Sequence, residues 1–255
     1  MRPNLRYFLQ SAKVATAGGA IGLGSFFIYT RKAEFTSIAE SDPIFKLAED
    51  RGWNPYRNPT THDFYVRRVS LSDIRPELRD SPTELAKTFC AGVWSDWGNI
   101  FSLGIFLVGY MDCLANTFQF LDGVGFSIQR ALLRGARNDS NQDHLWTIED
   151  MLSSDYSEGT LIADSFEVLE KKDGRIVVRG GDSPSNKALR PFDVILELSA
   201  VIQEDEQAVD FGFKSVFFTG DKHSGQPPMP GFAVWLHLQY AKLLLETGIL
   251  NTMVR

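Results

Sequence analysis

One stretch near the C-terminus constrains this chain more than any other. In Asp210–Ile249, "DFGFKSVFFTGDKHSGQPPMPGFAVWLHLQYAKLLLETGI", a β-rich run gives way to a Gly/Pro loop, and the loop opens into a long helix. Val234, Leu238, Ala241 and Leu245 line one face of that helix, from about Phe232 to Thr247, while Trp235, Leu236, Leu243 and Leu244 widen the face well beyond a surface stripe. A helix this broad in its apolar surface must be laid against an extended apolar partner.

The residues before it supply one. "TLIADSFEVLEKKDGRIVVRGG" is two β-rich runs joined by "KKDG", a hairpin signal because Asp-Gly accepts the positive φ of a tight turn. "RPFDVILELSAVIQEDEQAVDFGFKSVFF" repeats the device, with Val194, Leu196 and Leu198 alternating against Asp193, Ile195 and Glu197, and "QEDEQ" as the turn. The two hairpins form an antiparallel meander. Upstream, "DFYVRRVSL" (Asp63 to Leu71) reads as a first strand. In "SPTELAKTFCAGVW" Ser81 is placed to cap a helix, with Pro82 at its first position and Glu84 three residues after the cap. Residues 33–60 hold a short helical piece, "DPIFKLAED", and a turn-dense Asn/Pro stretch, and read as a linker.

Composition narrows the function classes. A hydrophobic content of 44% with 12% aromatic residues suits a wide core or an apolar cavity, and rules out bulk disorder. A net charge of -6, with no cluster of Lys and Arg beyond the first 32 residues, gives nucleic acid no footing as a partner. Cys90 and Cys113 make no CxxC and read as two reduced thiols, with a single disulfide as the alternative.

The N-terminus differs in character. Arg2, Arg6 and Lys13 precede an uncharged run over residues 14–29, followed by Arg31 and Lys32, and the first acidic residue is Glu34. An acid-free basic start of this kind reads either as a mitochondrial targeting segment or as a membrane anchor over 1–32, the run being marginal in length for a bilayer span. An apolar helix over 14–29 in contact with a membrane, and a membrane-associated or mitochondrial location, are the corresponding expectations.

A strand, then helices, then an antiparallel meander, then a long C-terminal helix is the element order of the helix-grip fold. On "GTLIADSFEVLEKKDGRIVVRGGD" and on "DFGFKSVFF" followed by the terminal helix, the chain resembles the START-like superfamily of polyketide cyclases, lipid-transfer domains and their relatives. The resemblance covers Asp63 to Ile249 and implies an α+β domain over 61–250, in which a curved antiparallel sheet grips the C-terminal helix. "SLGIFLVGYMDCLANTFQ", near 102–119, departs from the pattern and reads as an insertion, since deleting it would join two helical pieces. The resemblance further implies a pocket between sheet and helix for a small hydrophobic or aromatic molecule. Its users include enzymes of cyclisation, dehydration or isomerisation and non-catalytic carriers of lipid or metabolite; an accessory protein of a membrane complex is a third reading.

The candidate residues follow. There is no HExxH, GxSxG, GxxxxGK[ST] or GxGxxG, and neither a metal nor a cofactor is expected. His237, on the terminal helix, is the candidate general base, because burial can tune an imidazole near neutrality. Asp193, three residues after Arg190, is its candidate acidic partner at a pocket mouth, against the alternative of a surface ion pair. Trp94 and Trp97 share a helix face and suit a planar ligand or plain core. Lys214 and Phe217 lie on the strand expected to border the pocket, with Trp235 and Tyr240 on the helix above it and Met229 in the loop before it.

Overall fold

The computed structural model describes residues 24–95, 143–172 and 174–254. Among them an open antiparallel sheet of seven strands carries the fold: β1 (Glu34–Phe35), β2 (Thr61–Ser70), β3 (Leu161–Ile162), β4 (Phe166–Lys172), β5 (Arg175–Gly180), β6 (Asp193–Gln203) and β7 (Ala208–Phe218). Their spatial order is β1-β2-β7-β6-β5-β4-β3. The first long strand lies beside the last, in unbroken register from Thr61 opposite Phe217 to Ser70 opposite Ala208. The two expected hairpins are present. Gly174, at φ 73°, turns β4 into β5, and Gln207, at φ 48°, closes the short turn from β6 into β7.

Both faces of the sheet are covered, which explains why the central strands β6 and β7 carry apolar residues at both parities. Because side chains alternate, Val209, Phe211, Phe213 and Phe217 of β7, with Val194, Leu196 and Leu198 of β6, share the main core with α2 (Pro82–Ser95) and α4 (Gly231–Leu250). On the reverse face Ile195, Val216 and Phe218 meet Ile44 and Ala48 of α1 (Pro43–Asp50). A short helix, α3 (Ile148–Ser153), opens with a capping box in which Thr147 and Asp150 satisfy each other's backbone N–H groups.

Helices α2 and α4 cross without side chains between their backbones. A Cβ on Gly248 would come within 2.5 Å of the Phe89 ring, and one on Gly92 within 2.6 Å of the Asn251 Cβ. The start of α2 is as its sequence requires, with the Glu84 N–H donating to Ser81 Oγ at 3.3 Å. Helix α4 begins after Pro230 without a side-chain cap, so its position rests on burial of Ala241, Leu244, Leu245 and Ile249.

Residues 33–60 do more than connect. They add β1 to the sheet edge and α1 to its second face, and the buried Asn58 donates through Nδ2 to the carbonyls of Thr219 and Lys222, both at 2.7 Å. Asn58 thereby ties this segment to the Gly/Pro loop that launches α4. Residues 24–30 are helical, with Phe26 and Thr30 buried and Phe27 and Ile28 exposed. The rest of the N-terminal run, Trp97, Cys113 and the 102–119 segment lie outside the described residues, and among the described residues no helix is long and apolar enough to cross a membrane.

Candidate functional site

Three polar side chains meet between the sheet and α4. Asp63 and Ser215 are direct cross-strand partners of β2 and β7, at positions whose register faces the helices, and α4 lays His237 over them. His237 Nε2–H donates to Asp63 Oδ1 at 2.6 Å and lies 3.0 Å from Ser215 Oγ. The Ser215 hydroxyl donates to the same Asp63 oxygen. All three side chains are buried, and Asp63 Oδ2 has no hydrogen-bond partner among the described residues.

The surroundings are aromatic. Phe217 meets the His237 ring edge-on at 4.6 Å between centroids and packs on Phe192 at 5.5 Å. Tyr65, the next inward residue on β2, has its hydroxyl pushed up to about 12, first by burial and then by the charge of Asp63. Both hydrogen-bond contacts of the His237 ring run through Nε2, which leaves Nδ1 without a protein partner among the described residues. This is not a serine–histidine–carboxylate relay, because hydroxyl and carboxylate meet the same nitrogen. A His–Asp pair of this kind can hold a polar group of a ligand or move a proton at Nδ1.

Further along the same face, Arg67 of β2 pairs with Glu246 of α4. Burial pulls the Arg67 guanidinium below its ordinary range, against the pull of Tyr29.

The reverse face holds two other charged clusters. Arg179 donates to Asp193 through Nη2 at 2.6 Å and stacks over the Trp53 ring at 3.9 Å, while Arg190 Nη1 lies 3.6 Å from the same carboxylate. Burial raises the Asp193 carboxyl, and the two arginines oppose that shift. Lys214 Nζ donates to Asp42 at 2.8 Å and to Glu197 at 3.0 Å. Burial alone would lower this ammonium, but the hydrogen bonds and charges of Asp42 and Glu197 outweigh it and raise it.

The structure therefore divides the residues expected from sequence. His237 and Phe217 are together at the site. Asp193 lies across the sheet from His237, so the acidic partner of His237 is Asp63 instead, and the Arg190–Asp193 pair is fully buried rather than on the surface. Lys214 also faces α1, because it stands three residues from Phe217 and an odd spacing on a strand puts two side chains on opposite faces. Trp94 is core, packed on Phe166 at 4.8 Å and donating to Cys90 Sγ at 3.2 Å. Trp235 is 48% exposed and stacks on Phe232, and Tyr240 is half-buried against the main core. Sequence reasoning missed Asp63 and Ser215. Their signal was present: each is a polar residue at an inward position of a strand, Asp63 in step with Tyr65 and Val69, Ser215 in step with Phe213 and Phe217.

Among the described residues no cluster of His, Cys, Asp and Glu suits a metal ion, and burial pushes the Cys90 thiol far above its ordinary range. Fold and site together define an α+β protein with a buried His–Asp–Ser cluster between an antiparallel sheet and its C-terminal helix. No family model, curated protein or solved structure matches the chain.

Proposed function

We propose that this chain is a helix-grip domain of the START-like kind that binds a small hydrophobic or aromatic molecule between its sheet and α4. The observation that carries this reading is the buried cluster of Asp63, Ser215 and His237 between sheet and helix, bordered by the Phe217 and Phe192 rings. A core built only for stability gains little from burying a carboxylate there, whereas a binding site needs a few convergent polar groups in an apolar wall. The strand order supports the same reading, since the first long strand beside the last, followed by a meander and a terminal helix on one face, is the arrangement a helix-grip domain requires.

Native mass spectrometry of the full chain purified from its native host, with extraction of any bound molecule, is the test. A co-purifying apolar metabolite supports the proposal. A folded protein that carries none, and that gains no thermal stability from a panel of apolar and aromatic molecules, removes it.

The His237–Asp63 pair favours a second reading on the same site, an enzyme of the isomerase, dehydratase or cyclase kind with Nδ1 of His237 as the base and Asp63 as the group that orients it. A carrier would tolerate His237→Gln in turnover assays of the host pathway, and an enzyme would not. The membrane or mitochondrial association of the N-terminus belongs to the same proposal, supported by the exposed Phe27 and Ile28 beside Arg31 and Lys32. Fractionation of the host cell tests it, and recovery of the full chain in the soluble cytoplasmic fraction alone would refute it.

A further inference from the structure

The cluster leaves one group unaccounted for. Asp63 is 1% exposed, yet only its Oδ1 is engaged, by both Ser215 and His237, while Oδ2 is buried with no partner among the described residues. A buried carboxylate oxygen without a donor loses the water it had in the unfolded chain and gains nothing, so such atoms are rare unless something else supplies the bond. A lone water is a poor candidate. It needs several polar partners to stay, and the neighbouring Ser215 hydroxyl and His237 Nε2–H are already committed to Oδ1.

We infer that Asp63 Oδ2 is the anchor for a hydroxyl group carried on the apolar ligand, so that the ligands of this site are hydrophobic alcohols or phenols rather than plain hydrocarbons, ethers or ketones. The inference rests on the proposed binding site and names the chemistry it selects. A site that offers an acceptor discriminates against the analogue lacking a donor, because that analogue leaves the carboxylate oxygen unpaired. His237 and Ser215 fix the carboxylate plane, so the free oxygen is held in one position for the incoming O–H.

Matched pairs of probes test it: dodecanol with its methyl ether and a naphthol with its methyl ether, titrated into the full-length wild-type chain by calorimetry. The expected result is an alcohol or phenol bound about tenfold or more tighter than its ether on at least one scaffold. In Asp63→Leu that preference disappears, and in Lys214→Met, on the opposite face of the sheet, it remains. Should Asp63→Leu not fold, the wild-type comparison decides alone. Equal affinity for alcohol and ether overturns the anchor and leaves the binding site standing, whereas no binding of either member of either pair overturns both.

Discussion

The guanidinium of Arg67 on β2 faces the carboxylate of Glu246 on α4, and each keeps one buried polar atom, Nε and Oε1, without a partner among the described residues. Two desolvated charges that are incompletely hydrogen-bonded hold each other but do little for net stability. Glu246→Ala should therefore cost about 3–5 kcal/mol by stranding the arginine, while the double replacement Arg67→Met with Glu246→Leu should fall within about 1 kcal/mol of wild type or above it. Urea denaturation of the three proteins checks this. A double variant as unstable as the single one would show that the pair contributes net attraction.

Asp63 and His237 should be strongly coupled. Each alone loses a buried partner, so Asp63→Ala and His237→Ala are each expected to destabilise by about 2–4 kcal/mol. The double variant strands neither group, and its cost should fall short of the sum by about 1 kcal/mol or more, the range of coupling for residues in contact. Strict additivity in the double-mutant cycle would mean that the 2.6 Å contact carries no energy of its own.

Lys214 links α1 to the sheet, because Asp42 both receives its ammonium and caps α1 at the Ile44 N–H. Its folded pKa is raised from the usual 10.5, so the folded state holds this proton more tightly than the unfolded chain. The stabilisation is complete below about pH 10 and is lost as pH climbs through the folded value. Lys214→Met should thus be less stable than wild type by about 1–2 kcal/mol at pH 8, with the gap narrower at pH 11. Urea midpoints of both proteins at the two pH values report it, and a gap that widened at pH 11 would contradict the sign.

The close crossing of α2 and α4 depends on Gly248, where a methyl group would run into the Phe89 ring and Val93. Gly248→Ala normally favours a helix by about 1 kcal/mol. Here it should destabilise by about 1–3 kcal/mol, because neither helix can give way without opening the core. Thermal unfolding decides between the two signs.

Much of this fold was legible because period-two alternation and turn chemistry are local. Val194, Leu196 and Leu198 against Asp193, Ile195 and Glu197 sorted the two faces of β6, and Ser81 with Pro82 placed the start of α2. The partner of His237 was not legible in the same way. Asp63 stands 174 positions away and meets it only because β2 pairs with β7 and α4 folds back across both. Asp193 looked equivalent from composition, yet parity on its strand sends it to the other face. Residues 33–60 looked like a connector because Asn and Pro crowd them, whereas Asn54 and Asn58 are buried and use their side-chain amides to replace regular hydrogen bonding.

Asp193 provides the contrast that separates structure from site. It neutralises Arg179 and Arg190, both buried, and its removal leaves two like charges facing each other out of water. Asp193→Asn should cost about 3–5 kcal/mol. Since it lies across the sheet from His237, the remaining folded protein should bind its ligand with wild-type affinity when measured well below the lowered melting temperature. His237→Gln should behave in the opposite way, with the smaller loss of stability and the larger loss of affinity. Calorimetric titration of both variants with the co-purified ligand checks the pair. A loss of affinity in Asp193→Asn equal to that in His237→Gln would move the binding site off the helix-covered face and onto the face of α1.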